Sequence, residues 1–189
     1  MTMTRIPSSP MTIALVITAL GGITVAAEDK YTVQVPDGLA FSDFRGYESW
    51  EVVSVAMVDP TESAMTGEGG SVLNVVMANP AMIEAYRNGV PGNGTKFPDG
   101  SKIAKIQWTT KKDSDSPFSV NVPDALRNVA FIAKDSKRFP ESGGWGYANF
   151  NYDAASTAFT PDGTGSDCGH ACHSAVEAKD FIFHSYQKR

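Results

Sequence analysis

"FPDGSKIAKIQWTT", residues 97–110, is the stretch from which the fold is read. Phe97-Pro98-Asp99-Gly100 is turn chemistry. Proline presets φ at the second turn position, and Asp and Gly suit the positions that follow. The whole run "GVPGNGTKFPDG", residues 89–100, is dense in glycine and proline and reads as a loop with tight turns. Lys102–Thr110 then runs as a strand, with Ile103, Ile106 and Trp108 distributed over both faces.

Similar strands lie on either side. Ser49–Val58 and Val72–Met77 precede it, while Leu126–Ala133 and Gly146–Tyr152 follow, the last with alternating aromatics. Thr61–Gly70, Asp113–Asp124 and Asp153–Gly165 read as loops, and residues 28–47 are mixed around a turn at Pro36-Asp37-Gly38. Asn79 and Pro80 give an N-cap and a first-turn proline for a helix over Ala81–Asn88, ended by Gly89. Ser174–Tyr186 reads as a C-terminal helix with Val176, Phe181, Ile182 and Phe183 on its apolar side. Consecutive strands with few helices predict an α+β fold with a mostly antiparallel sheet.

Residues 1–27 have the layout of a secretory signal peptide. Arg5 precedes an uncharged apolar run over 11–23, and small residues lead to Ala27. That run is short of the roughly 20 apolar residues a spanning helix needs. The expectation is therefore cleavage after Ala27, a single domain over 28–189, and a periplasmic or secreted location. The 189 residues less 27 leave 162, enough for one core. Loss of Arg5 takes the formal charge from −5 to −6. An acidic domain without a basic run argues against nucleic-acid binding, and no membrane association is expected beyond export. Two cysteines are too few for a disulfide framework.

Those cysteines lie in "DCGHACHSAV", residues 167–176, with two of the three histidines. Three readings stand side by side. A Cys168–Cys172 disulfide needs a non-helical turn, because Cβ atoms four apart on a helix are about 5–6 Å from each other. Zinc on Cys168, His170, Cys172 and His173 asks one short segment to wrap a tetrahedral ion. Haem attachment usually uses C-x-x-C-H. Here one extra residue separates the thiols, and a bulge at Gly169 is the expected accommodation.

The segments "VMANPAMIEAYRNG" (76–89), "KFPDGSKIAKIQW" (96–108), "KDSKRFPESGGWGYANF" (134–150) and "CHSAVEAKDFIFHSY" (172–186), in this order, resemble the cytochrome P-460 family. These are exported mono-haem c proteins that include the β-sheet cytochromes c′, and the resemblance runs from about Val35 to Arg189. It implies one covalently bound haem c, with Cys168 and Cys172 as thioether cysteines and His173 as proximal iron ligand. It also implies a lysine bonded to the porphyrin edge: Lys105 by position after the Phe-x-Asp-Gly turn, with Lys102 as runner-up. The extra residue between the cysteines departs from the family pattern and bears on whether both thioethers form.

The implied activity is oxidation of hydroxylamine, with nitric oxide, toward nitrous oxide at an open iron position. A soluble cytochrome would be the redox partner, and a homodimer is compatible. The alternative is a nitric oxide-binding protein without turnover. Attack by lysine requires the neutral amine, and burial lowers a lysine pKa of about 10.4 by up to about 3–5 units. Met57, Met65, Met77 and Met82 read as core or loop filler. Trp145, Tyr147, Phe150 and Tyr152 fit either a ligand pocket or the sheet core. Glu141, Asp153, Asp162 and Asp167 are the candidate proton acceptors.

Overall fold

The computed structural model describes residues 29–66, 70–163, 165–187 and 189. Six strands form one antiparallel sheet in sequence order: β1 (Glu51–Val58), β2 (Val72–Ala78), β3 (Lys102–Lys112), β4 (Asn121–Lys134), β5 (Trp145–Asp153) and β6 (Ala158–Asp162). Each strand pairs with the one before it. A single turn, α1 (Ser63–Thr66), links β1 to β2; α2 (Pro80–Arg87) precedes β3, and α3 (Asp167–His173) follows β6. The chain is thus α+β with an antiparallel sheet, as its strand pattern predicts. The expected signal peptide, residues 1–27, lies outside the described residues. Among the described residues no helix is long and apolar enough to cross a membrane.

Alternating side chains give the sheet two faces, and each has its own cover. One lies beneath an N-terminal arm of three 3-10 turns, Lys30–Thr32, Phe41–Phe44 and Tyr47–Ser49. Phe41 and Phe44 of the arm bury against Val129, Phe131 and Phe150 of β4 and β5. Phe44 stacks on Phe131 with ring centroids 4.1 Å apart, and Phe41 meets the same ring edge-on at 5.0 Å. Full burial of such a ring contributes about 1.5–3 kcal/mol relative to exposure. The opposite face carries Val76, Ile103, Ile132, Trp145 and Tyr147. It is covered by Met82, Ile83 and Tyr86 of α2 and by Phe181 and Ile182 near the C-terminus.

Asn79 ties α2 to the sheet. Its side-chain oxygen accepts from Met82 N at 3.2 Å, capping the helix, and from Lys102 N at 3.0 Å, while its amide donates to Gly100 O. Pro80 occupies the first turn, as read from the sequence.

Four elements differ from expectation. Helix α1 forms inside the expected loop Thr61–Gly70. Strand β6 forms inside the segment expected to be the loop Asp153–Gly165. Strand β4 begins at Asn121 rather than Leu126. The helix expected over Ser174–Tyr186 is instead a pair of 3-10 turns over Ser174–Lys179, kinked at Val176 (φ −125°, ψ 32°). It stops because Asp180 and Phe181 both take left-handed backbone, φ 51° and 63°, which turns the Asp180 carboxylate inward to Lys134.

Candidate functional site

The cross-strand pairings arrange the α2-covered face in rows. An apolar row runs Ala78, Ile103, Ile132, Tyr147. The next runs Ser54, Val76, Lys105, Ala130, Asn149, Asp162. A polar row follows: Ala56, Asn74, Gln107, Asn128, Asn151, Thr160. Lys105 therefore stands at the border between the apolar core and a polar row whose nearest members, Asn74 and Gln107, are themselves buried, beside the small side chains of Val76 and Ala130. The amides beyond it interlock. Gln107 Nε2 donates to Asn74 Oδ1 at 2.7 Å, Asn128 Nδ2 to Asn149 Oδ1 at 2.8 Å, and Asn149 Nδ2 to Asp162 Oδ2 at 3.0 Å.

Burial holds the Lys105 amine below the ordinary lysine range, with the Cys172 thiol acting in the opposite direction. The charge on Lys105 in turn contributes to lowering His173 and His184, both of which are depressed first by burial. A helix cysteine and two histidines are thus within electrostatic reach of the one strand lysine. Lys102 is elsewhere. Three residues back on β3 it points to the other face, donates to Asp43 O at 2.6 Å and lies over the Phe44 ring.

Helix α3 is α-helical across the whole cluster, and its His170 N–H donates to Ser166 O at 3.0 Å. Cys168 and Cys172 are exposed, unbonded thiols one turn apart on the same side. The expected bulge at Gly169 does not occur. The glycine is needed for close approach instead: a Cβ there would sit 2.4 Å from Tyr147 Cβ on β5. Gly169→Ala is accordingly expected to push α3 off β5 and cost about 1–3 kcal/mol as an overpacked contact, measured by chemical denaturation.

The inner side of α3 carries the histidines. His170 lies against Phe181, centroids 5.4 Å apart, with its Nδ1 buried and without a partner. His173 Nδ1 is 2.6 Å from Phe181 O. A carbonyl only accepts, so Nδ1 carries the proton and the lone pair is on Nε2. The His173 ring packs against Tyr147 and Phe183, each at 4.9 Å between centroids. Phe183 is nonetheless 45 % exposed, and the Tyr147 hydroxyl is buried without a partner.

The remaining candidates disperse. Trp145 and Tyr147 face α2 and the C-terminal segment, whereas Phe150 is in the core under the N-terminal arm, and Tyr152 pairs with Phe159. Met77 and Met82 are buried on opposite faces, while Met57 and Met65 are exposed. Glu141 and Asp167 line a groove with His170 and Arg138. Asp153 closes a turn on Ala155 and Ser156. Asp162 is the one of these four acids on the row of Lys105, three strands and about 14 Å of backbone away. Among the described residues no three His, Cys, Asp or Glu side chains converge to hold a metal ion, so the four candidate zinc ligands are not assembled. His184 and Tyr147 are the neighbours of this cluster that spacing could not reveal; their only signal was residue type.

A family model described as cytochrome P460 matches residues 44–184. No curated protein matches the chain. The family match implies a haem cofactor and iron binding. The residues fit such a group. A half-exposed Phe183, a buried orphan hydroxyl on Tyr147 and two outward thiols border a histidine whose Nε2 lone pair is free of its backbone hydrogen bond.

Proposed function

Because the chain belongs to the cytochrome P460 family over residues 44–184, we propose that it is an exported c-type haem protein oxidising hydroxylamine. Cys168 and Cys172 would hold the group through their thiols, His173 Nε2 would ligate the iron, and Lys105 would bond to the porphyrin edge. Bound haem supplies a redox-active iron with an open position for a small nitrogen ligand. In the overall reaction hydroxylamine and nitric oxide give nitrous oxide and water, releasing one proton and one electron. A soluble cytochrome would take the electron.

The observation that carries this reading is the family match together with His173, whose Nδ1 is held by Phe181 O at 2.6 Å and whose Nε2 lone pair is left available beside two exposed thiols. The chain's own residues divide the remaining work. Phe181 O fixes the His173 tautomer. Tyr147 and Phe183 hold its ring, and the amide row beyond Lys105 offers hydrogen bonds to a small polar substrate. Asp162, fastened by Asn149, is the proton acceptor on that row.

The test is a steady-state assay of purified, matured protein with hydroxylamine and an artificial oxidant, beside a pyridine haemochrome measurement. Absence of haem would sink the reading. Asp162→Asn is expected to cut turnover by about 10²-fold or more, within the usual range for lost proton transfer, with an unchanged absorption spectrum. A second reading is nitric oxide capture without turnover, which an apolar pocket without a proton acceptor would favour. It predicts tight nitric oxide binding and no hydroxylamine oxidation in the wild type.

A further inference from the structure

The C-terminal segment owes its path to a buried ion pair that the site chemistry above does not use. Lys134, the last residue of β4, and Asp180 are 3 % and 2 % exposed in their side chains. Lys134 Nζ donates to Asp180 Oδ1 at 2.9 Å and to Gly143 O at 2.8 Å, and it lies over the Trp145 ring. Asp180 Oδ2 accepts from Phe97 N at 2.8 Å, in the turn that leads into β3. Both charges are therefore fully partnered inside the protein, the condition under which a buried pair is tolerated.

The pair sits at an unusual piece of backbone. Asp180 and Phe181 are successive non-glycine residues with φ of 51° and 63°, a conformation that persists only where its surroundings impose it. Lys134 imposes it from one side. Gly143 makes room for it on the other, since a Cβ there would lie 2.3 Å from the Phe181 ring. The product of this double turn is the direction of one carbonyl, Phe181 O, which meets His173 Nδ1 at 2.6 Å.

We infer that Lys134 and Asp180 are positioning residues for His173: the ion pair holds the left-handed Asp180-Phe181 turn, and that turn aims the carbonyl that fixes the tautomer and basicity of the imidazole. The inference rests on the reading of His173 as the iron ligand. A hydrogen bond to the far nitrogen raises the donor strength of a ligating histidine. A stronger donor favours the ferric state, so loosening the turn raises the reduction potential.

Two variants of the haem-loaded protein test this, Asp180→Asn and the charge-free double Lys134→Met/Asp180→Asn, which leaves no unpaired buried charge. Both are expected to favour the ferrous form about tenfold, about +59 mV for one electron, and to lower the ferrous iron–histidine stretching frequency. Tyr86→Phe is the control. It removes another anchor of the same segment, the Tyr86 hydroxyl on His184 O, and is expected to change stability without moving potential or stretch. Variants that lose stability yet keep the wild-type potential and stretching frequency overturn the inference and leave the haem reading intact. A wild-type protein without haem overturns that reading, and this inference with it.

Discussion

Lys105→Ala is expected to convert a strongly red-shifted ferrous Soret band into an ordinary c-type one. Hydroxylamine turnover should fall with it by about 10²-fold or more, about 2.7 kcal/mol in barrier height. Lys105 shares its row with Val76 and Ala130 and reaches the side of the sheet on which α3 and the C-terminal segment pack. Burial biases its nitrogen toward the neutral, nucleophilic form. Lys102→Ala supplies the contrast. Lys102 is spent on Asp43 O and the Phe44 ring beneath the N-terminal arm, so its loss should leave the spectrum untouched. A red-shifted band that survives in Lys105→Ala, or disappears in Lys102→Ala, would reject the assignment.

Lys134→Met carries the largest expected loss of stability, about 3–5 kcal/mol, because it strands the Asp180 carboxylate in the protein interior. Nothing else described around Asp180 brings positive charge; its other partner is the Phe97 N–H, which cannot neutralise it. Adding Asp180→Asn should restore much of the loss, since replacing both members of a buried pair is often close to neutral. Urea denaturation of the single and double variants measures both quantities. Equal stability of Lys134→Met and wild type would mean that the pair contributes nothing to the fold.

The legible parts of this chain were those with local signals. Strands β1, β2, β3 and β5 and helix α2 announce themselves through β-formers, the Asn79-Pro80 start and the turn before Lys102. The α3 cluster was legible as chemistry through its unusual density of cysteine and histidine. The N-terminal arm was not, although Phe41 and Phe44 are fully buried. Short 3-10 turns impose no period on the apolar residues they bury. Strand β6 was hidden by Pro161 and its brevity, both tolerated at a sheet edge. The premature end of the C-terminal helix was hidden for a different reason. No residue between Ser174 and Tyr186 is glycine or proline; the backbone nonetheless leaves helical geometry at Val176, and what draws it inward at Asp180 is a lysine more than forty positions upstream, which no local pattern reports. Gly169 was singled out for the right position and the wrong property: it makes room for Tyr147 rather than bending the chain.

The sheet order also bears on how such a protein is built in time. All five strand pairings join neighbours in sequence, so the sheet can form by successive pairing of sequence neighbours, with the longest closure across α2 between β2 and β3. The site cannot. Lys105 belongs to the third strand, whereas α3 and the segment that aims His173 lie near the C-terminus and are synthesised last. The meander should therefore be a late folding intermediate that already carries its lysine row, awaiting the thiol-bearing helix. Pulse-labelling hydrogen exchange should find β2–β5 amides protected earlier than those of α3.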